Sequence, residues 1–175
     1  MQPAVLATAR LRLRPSVSGD AVRAFAIQSD WDVTRMLSMA SFPPNLDDLT
    51  AWFATHEQEW TEGNAYRFAV ERDGAMIGLV DLDQVTATEA TLGYWLEQAA
   101  WGRRFGLEAA QAIVQFAFAE LRLERLKAGH AADNRASGRI LMRLGFRFLD
   151  VASRHSKSRG GDVLQWRYVA ERPEI

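Results

Sequence analysis

The sequence predicts an α/β (α+β) domain, a mixed and mostly antiparallel seven-stranded sheet with flanking helices. Three features carry that expectation. Apolar spacing switches repeatedly between a period of two and a helical period. "RDG" separates two alternating runs and supplies hairpin chemistry at Asp73-Gly74. A long apolar helical stretch, roughly Arg104 to Leu121, joins two strand-like segments, which calls for a parallel pair with a crossover helix.

The elements follow in order. "ARLRLRP" alternates Leu11 and Leu13 with Arg10, Arg12 and Arg14, and Pro15 ends this first strand. In "SGDAVRAFAIQSD", Ser18 or Asp20 caps a helix whose apolar face carries Val22, Phe25 and Ala26. Asn45 caps the next helix, with Asp47 and Asp48 in the first turn and Leu49, Trp52, Phe53, His56 and Trp60 at helical spacing. "YRFAVE", "AMIGLVDLD" and "ATLGYWLE" form an antiparallel meander. The long helix shows Phe105, Ala109, Ala112, Ile113 and Phe116 on one face and Val114, Phe118 and Leu121 on a second. Only Glu108, Gln111 and Gln115 are left as a polar stripe, so it is expected to be covered on most sides. "RLKAGH" is the fifth strand, and "DNRASGRILMRLGF" is a capped helix stopped at Gly145. "FRFLD" and "DVLQWRYVA" close the sheet around a polar, basic loop, "SRHSKSRGG". Residues 1–175 read as a single domain without linker or repeat.

Composition narrows the function. The 48% hydrophobic and 25% charged content is that of an ordinary soluble globular protein. No apolar run approaches the ~18 residues of a membrane span and no signal-peptide core opens the chain, so a cytoplasmic protein without membrane contact is expected. Cysteine is absent, and His56, His130 and His155 are too dispersed for metal-ligand spacing, so no metal is expected. Residues 1–100 hold 7 basic against 14 acidic side chains, and residues 101–175 hold 14 against 8. This segregation suggests an anionic ligand on the C-terminal half and a cationic one near the N-terminal half. Near-neutral overall charge argues against nucleic acid.

The mouth of the long helix, "WGRRFGLEAA", concentrates the charge. A helix N-terminus offers unpaired N–H groups and a positive dipole end. Gly102 and Gly106 allow close backbone approach, and Arg103 and Arg104 add positive charge, so the turn suits a pyrophosphate. An ordinary strand-to-helix turn with solvated arginines is the alternative.

"GYWLEQAAWGRRFGLEAA" followed by "DNRASGRILMRLGF" resembles the acetyl-CoA-binding core of the GNAT acetyltransferases, in the RimJ/RimL branch that acetylates ribosomal-protein N-termini. "TARLRLRP", "IGLVDL" and "GGDVLQW" extend the resemblance over nearly the whole chain. It implies the acyl-CoA N-acyltransferase fold with a splayed parallel pair of fourth and fifth strands. It further implies acetyl-CoA as cosubstrate, with the diphosphate on Gly102, Arg103, Arg104, Phe105, Gly106, Leu107 and Glu108. The pantetheine arm would pair with Tyr94, Trp95 and Leu96, Asn134 would hydrogen-bond it, and Arg139 or Arg143 would meet the nucleotide phosphates. Arg104 replaces the first glycine of the family's phosphate turn. It would cost roughly 1 kcal/mol at positive φ and nothing in a turn already helical, and the helical conformation is the one expected.

The reaction implied is direct attack by a primary amine on the thioester in a ternary complex. The tyrosine that many members use to protonate the thiolate is Leu141 here. Ser137 matches the serine proposed for that role in the ribosomal branch, and a plain helix-surface serine is the other reading. The carboxylate many relatives carry is Thr91 here, and Glu89, Asp81 and Asp83 lie nearby in sequence. Without a strong base, an α-amine (pKa ~7.7–8.0) is the easier acceptor than lysine (pKa ~10.4). Asp30, Asp32, Asp47 and Asp48, among Trp31, Phe42 and Trp52, would line a cationic acceptor's site. A ribosomal or other protein N-terminus, a polyamine, an amino sugar and an amino acid stay open as acceptors. So do a catalytically weak CoA-binding or sensing protein, and a monomer or homodimer.

Overall fold

The computed structural model describes residues 3–173. Its strands are β1 (Leu6–Ala7), β2 (Arg12–Pro15), β3 (Tyr66–Arg72), β4 (Ala75–Asp83), β5 (Glu89–Leu96), β6 (Arg125–Ala131), β7 (Arg147–Ser156) and β8 (Gly161–Glu171). The helices are α1 (Ala21–Gln28), α2 (Trp31–Thr34), α3 (Leu46–Glu62), α4 (Phe105–Ala119) and α5 (Arg135–Arg143). The strands form one sheet in the order β1-β2-β3-β4-β5-β6-β8-β7. Every neighbouring pair is antiparallel except β5 and β6, which run parallel.

The sheet has eight strands rather than the seven expected from the sequence. The extra one, β1, pairs Leu6 with Leu13 and Ala7 with Arg12. Two residues are too short to show a period, so alternation could not reveal it. The expected basic loop is also mostly strand. β7 and β8 pair as far as Ser156 and Gly161, which leaves only Lys157–Gly160 as the turn.

Alternation sorts the sheet's two faces. Phe68, Val70, Val80, Leu82, Leu92, Leu126 and Tyr168 lie in one core with Phe105, Ala109, Ile113 and Phe116 of α4 and Leu141 of α5. Ala69, Met76 and Leu79 pack instead with Ala21 and Ala24 of α1, Phe53 of α3, and Trp95. The face expected of α1 is corrected here: Ala21, Ala24, Ile27 and Gln28 are buried, whereas Val22 is 66% exposed. Small alanines let α1 lie close on the sheet, and Val22, one step round the helix, stays outside. α3 follows its expected face, with Phe53, His56 and Trp60 buried and Asn45 accepting from the amides of Asp47 and Asp48.

Candidate active site

The parallel pair is forked. β5 and β6 pair from Glu89↔Arg125 to Leu92↔Ala128 and no further. Beyond that rung, β5 continues along β4 to Leu96 and β6 continues along β8 to Ala131. Gly93–Leu96 and Gly129–Ala131 therefore keep their outer partners and turn unpaired edges to each other. A backbone edge of this kind needs a partner. The gap opens into a cleft of about 630 Å³.

At one end of the cleft α4 begins. The amides of Gly102 to Leu107 have no backbone acceptor among the described residues, while that of Glu108 already donates to the Arg104 carbonyl at 3.0 Å. Gly102 and Arg104 both adopt positive φ, 74° and 64°. The helical conformation expected for Arg104 is thus corrected: it caps α4 in the left-handed region. That conformation costs a side-chain-bearing residue about 1–2 kcal/mol. Left-handed residues at such a turn are the means by which backbone nests that hold anions are built. Gly106 packs close to α5, where a Cβ would stand 3.2 Å from Ile140 Cδ1 and push that side chain aside.

Most of the expected site residues converge. Tyr94, Trp95, Leu96, Gly102, Arg104, Phe105, Gly106, Leu107, Asn134, Ser137, Arg139 and Arg143 all line the cleft. Two do not. Arg103 is exposed and outside the lining. Glu108 faces the N-terminal hairpin, accepting from Thr8 Oγ1 at 2.6 Å and the Arg10 amide at 2.9 Å and pairing with the Arg10 guanidinium at 2.6 Å. With amide and carboxylate both engaged, Glu108 anchors β1 and β2 to α4 instead of meeting a ligand.

Charge is left free where an anion would lie. Arg10, Arg12, Arg14, Arg23, Arg35, Arg67, Arg125, Arg159 and Arg167 are all held in ion pairs. Arg104, Arg139 and Arg143 line the cleft and make no ion pair or side-chain hydrogen bond among the described residues.

Two hydroxyls meet on the α5 side. Ser137 Oγ donates to the Tyr94 phenol oxygen at 3.1 Å, and the phenol donates to the Ser137 carbonyl at 3.3 Å. Burial pushes the Tyr94 phenol up to about 12, against the pull of the Ser137 hydrogen bond, so it keeps its proton. The Tyr94 side chain was not foreseen, because only a fold brings β5 onto α5. Asn134 caps α5, accepting from the Ser137 amide at 3.2 Å. Leu141 is 1% exposed and belongs to the core.

On the opposite face, Val33, Met36, Leu37 and Trp95 close the cleft. The β7–β8 turn straps this wall down. The Lys157 amide donates to the Ser38 carbonyl at 2.8 Å, and Arg159 Nε to the Arg35 carbonyl at 2.7 Å. The Arg159 guanidinium also holds both oxygens of Asp133 at 3.0 Å. Trp31 and Phe42 meet edge to face at 4.9 Å and stay 41% and 39% exposed. Trp52 is elsewhere, under the Arg67 guanidinium at 5.1 Å.

The carboxylates separate as clearly. Glu89 lies on the zipped part of the parallel pair and is held by Lys127 at 2.5 Å. Asp83 is half exposed. Asp81 pairs across β4 and β5 with Gly93, the first residue past the last rung of the fork. Its side chain is only 13% exposed and takes Arg67 Nη1 on Oδ2 at 2.7 Å. Burial above all, with Asp83 and Glu59 nearby, pushes this carboxyl up to about 6 against the pull of Arg67. Among the described residues, no cluster of His, Cys, Asp and Glu suits a metal, and no helix is long and apolar enough to cross a membrane.

The same architecture recurs in known proteins. The uncharacterized N-acetyltransferase YoaA of Bacillus subtilis (strain 168) is 28% identical over 146 residues, covering 81% of this chain and 82% of the relative. A ribosomal-protein alanine acetyltransferase from Vibrio fischeri superposes with a TM-score of 0.85 at 17% identity, covering 98% of each chain. RimJ of Mycobacterium smegmatis, solved with a CoA disulfide, gives 0.83 at 20% identity over 97% of this chain and 90% of that one. The family model described as "Acetyltransferase (GNAT) domain" matches residues 10–147. With that match covering most of the sequence, the chain belongs to the GNAT family of acetyltransferases.

Proposed function

We propose that this acetyltransferase transfers an acetyl group from acetyl-CoA to a protein or peptide N-terminal α-amine, by direct attack in a ternary complex. The observation that carries the reading is the fork: an open strand edge that leads from the bare amides and unpaired arginines at the mouth of α4 to the Ser137–Tyr94 hydroxyl pair. Acetyl-CoA supplies the acetyl group as a thioester with a good leaving group, a thiolate of pKa ~8.5.

The residues present fit that cosubstrate. Amides 102–107, with Arg104, Arg139 and Arg143, suit the phosphates. The edge at Tyr94, Trp95 and Leu96 and the uncommitted side-chain nitrogen of Asn134 suit an amide-bearing arm. Ser137 and the protonated Tyr94 can donate to a developing thiolate. Val33, Met36, Leu37 and Trp95 give the reacting end an apolar wall.

The acceptor class follows from proton availability. At pH 7 an α-amine is on the order of 10% neutral and a lysine only about 0.04%, a factor of roughly 250 in reactive species. Among the described residues the one carboxylate lining the cleft is Asp133, already held by Arg159, and such a site suits the former. Structural neighbours named for ribosomal proteins are consistent with this acceptor. The test is thiol release from acetyl-CoA with an acceptor panel: peptides beginning Ala, Ser or Met, the same peptides blocked at the N-terminus with internal lysines, spermidine, glucosamine and free amino acids. Peptide α-amines are expected to be acetylated at least tenfold faster than internal lysines. Equal rates would overturn the α-amine assignment, and CoA binding without turnover on any amine would leave a CoA sensor.

A further inference from the structure

We propose that Asp81 is the group that takes the proton from the attacking amine at the crotch of the fork. The inference rests on the acetyl-transfer reading and adds the base which that reading lacks.

The observation behind it is a void filled by a carboxylate. Gly93 is where β5 parts from β6 and lines the cleft. A Cβ built there would lie 2.4 Å from Asp81 Oδ1. The missing side chain therefore lets this oxygen rest against the cleft-lining backbone. Arg67 occupies Oδ2, while Oδ1 accepts no hydrogen bond from the described residues. One oxygen is thus fixed and the other is left free to accept a proton.

Its position matches the chemistry. The open edge from Leu96 back to Gly93 is about 13 Å long at ~3.3 Å per residue. An arm entering from the α4 end along that edge delivers its reactive terminus to Gly93. There Asp81 faces the side of the sheet packed by α1 and α3, and the Ser137–Tyr94 pair faces the side packed by α5. An amine approaching on the first side meets a proton acceptor, and a sulfur leaving on the second meets donors. The charged groups facing Asp81 are Arg67 of β3, Asp83 of β4 and, through Arg67, Glu59 of α3. Burial above all, against the pull of Arg67, raises the carboxyl to about 6, where it is ionised at neutral pH yet basic enough to act.

The step balances. The ammonium gives one proton to Oδ1, directly or through one water. The amine nitrogen then attacks the thioester carbonyl carbon, the C–N bond forms and the C–S bond breaks. The second N–H proton passes through solvent and the hydroxyl pair to the sulfur. The products are the amide, the free thiol and neutral Asp81.

The test compares wild type with Asp81→Asn, near-isosteric and still able to accept from Arg67, and with Gly93→Ala, whose Cβ displaces Oδ1 while removing no titratable group. Both variants are expected to lose at least about 100-fold in turnover, and Asp81→Asn to bind CoA with unchanged affinity. The acid limb of the pH profile, with its midpoint near 6, should vanish in Asp81→Asn. A readout without turnover is the carbon NMR titration of the Asp81 carboxyl in the CoA complex, whose midpoint should fall when a primary amine is added. Turnover and acid limb retained in Asp81→Asn, or a carboxyl midpoint indifferent to amine, would overturn the assignment and leave the transferase reading intact. A midpoint that falls with amine in an enzyme that acetylates nothing would support Asp81 as the amine's partner and sink the transferase reading alone.

Discussion

His56 and Asp81 are buried on the same side of the sheet and respond to pH in opposite senses. His56 is 3% exposed, its Nδ1 lies 2.7 Å from Ser16 Oγ, and its Nε2 has no partner among the described residues. Burial first, then Arg67, pushes this imidazole down to about 4. Between pH 6.5 and 4 the unfolded chain binds a proton there that the folded chain refuses, so the stability His56 contributes above 6.5 is lost as pH falls. Asp81 holds its proton to about 6 when folded and only to its ordinary value of 3.8 when unfolded, so its contribution is present below 3.8 and lost as pH rises. Each swing is on the order of 3 kcal/mol. Urea unfolding at pH 4.5 and 7.5 should show His56→Gln gaining stability relative to wild type as pH falls, and Asp81→Asn losing it. Parallel curves for all three proteins would refute the assignment.

The β7–β8 turn acts as a clasp. Arg159 reaches from Lys157–Gly160 to the Arg35 carbonyl and to Asp133, tying the segment after α2 to the loop before α5. In the proposed reading those segments border the acceptor end of the cleft, away from the mouth of α4. Arg159→Ala should therefore raise the acceptor KM at least several-fold and leave CoA affinity unchanged; a loss of CoA affinity instead would show that the clasp supports the phosphate end. This clasp marks the limit of what the sequence reveals. Period, caps and turns identified most strands, the faces of α3 and α4, and the glycine–arginine turn, because each is written within a dozen residues. Arg159 looked like part of a solvated loop, since its partners are more than twenty residues away. Asp81 could not be told from Asp83 or Glu89 without the register that sets it opposite Gly93. Arg104 was expected to be helical because nothing in the order of residues reports a φ, and Glu108 was assigned to the ligand because only the fold shows it holding Thr8 and Arg10.

Across the whole molecule the uneven charge of the two halves resolves into paired and unpaired arginines. The N-terminal carboxylates neutralise Arg12, Arg14, Arg23 and Arg67 within the fold. Arg104, Arg139 and Arg143 remain unpaired around one cleft, where steering of an anion is strongest. Sheet, helix mouth and free charge then serve one end: the sheet parts at Leu92, α4 presents bare amides beside the opening, and α5 supplies the hydroxyl and the guanidinium groups. A crystal structure of the protein with coenzyme A tests this most directly. The diphosphate should accept hydrogen bonds from amides within 102–107, with the arm paired to Tyr94–Leu96 and the sulfur beside Gly93. Coenzyme bound elsewhere, or β5 and β6 paired past Leu92 with the cleft closed, would contradict it.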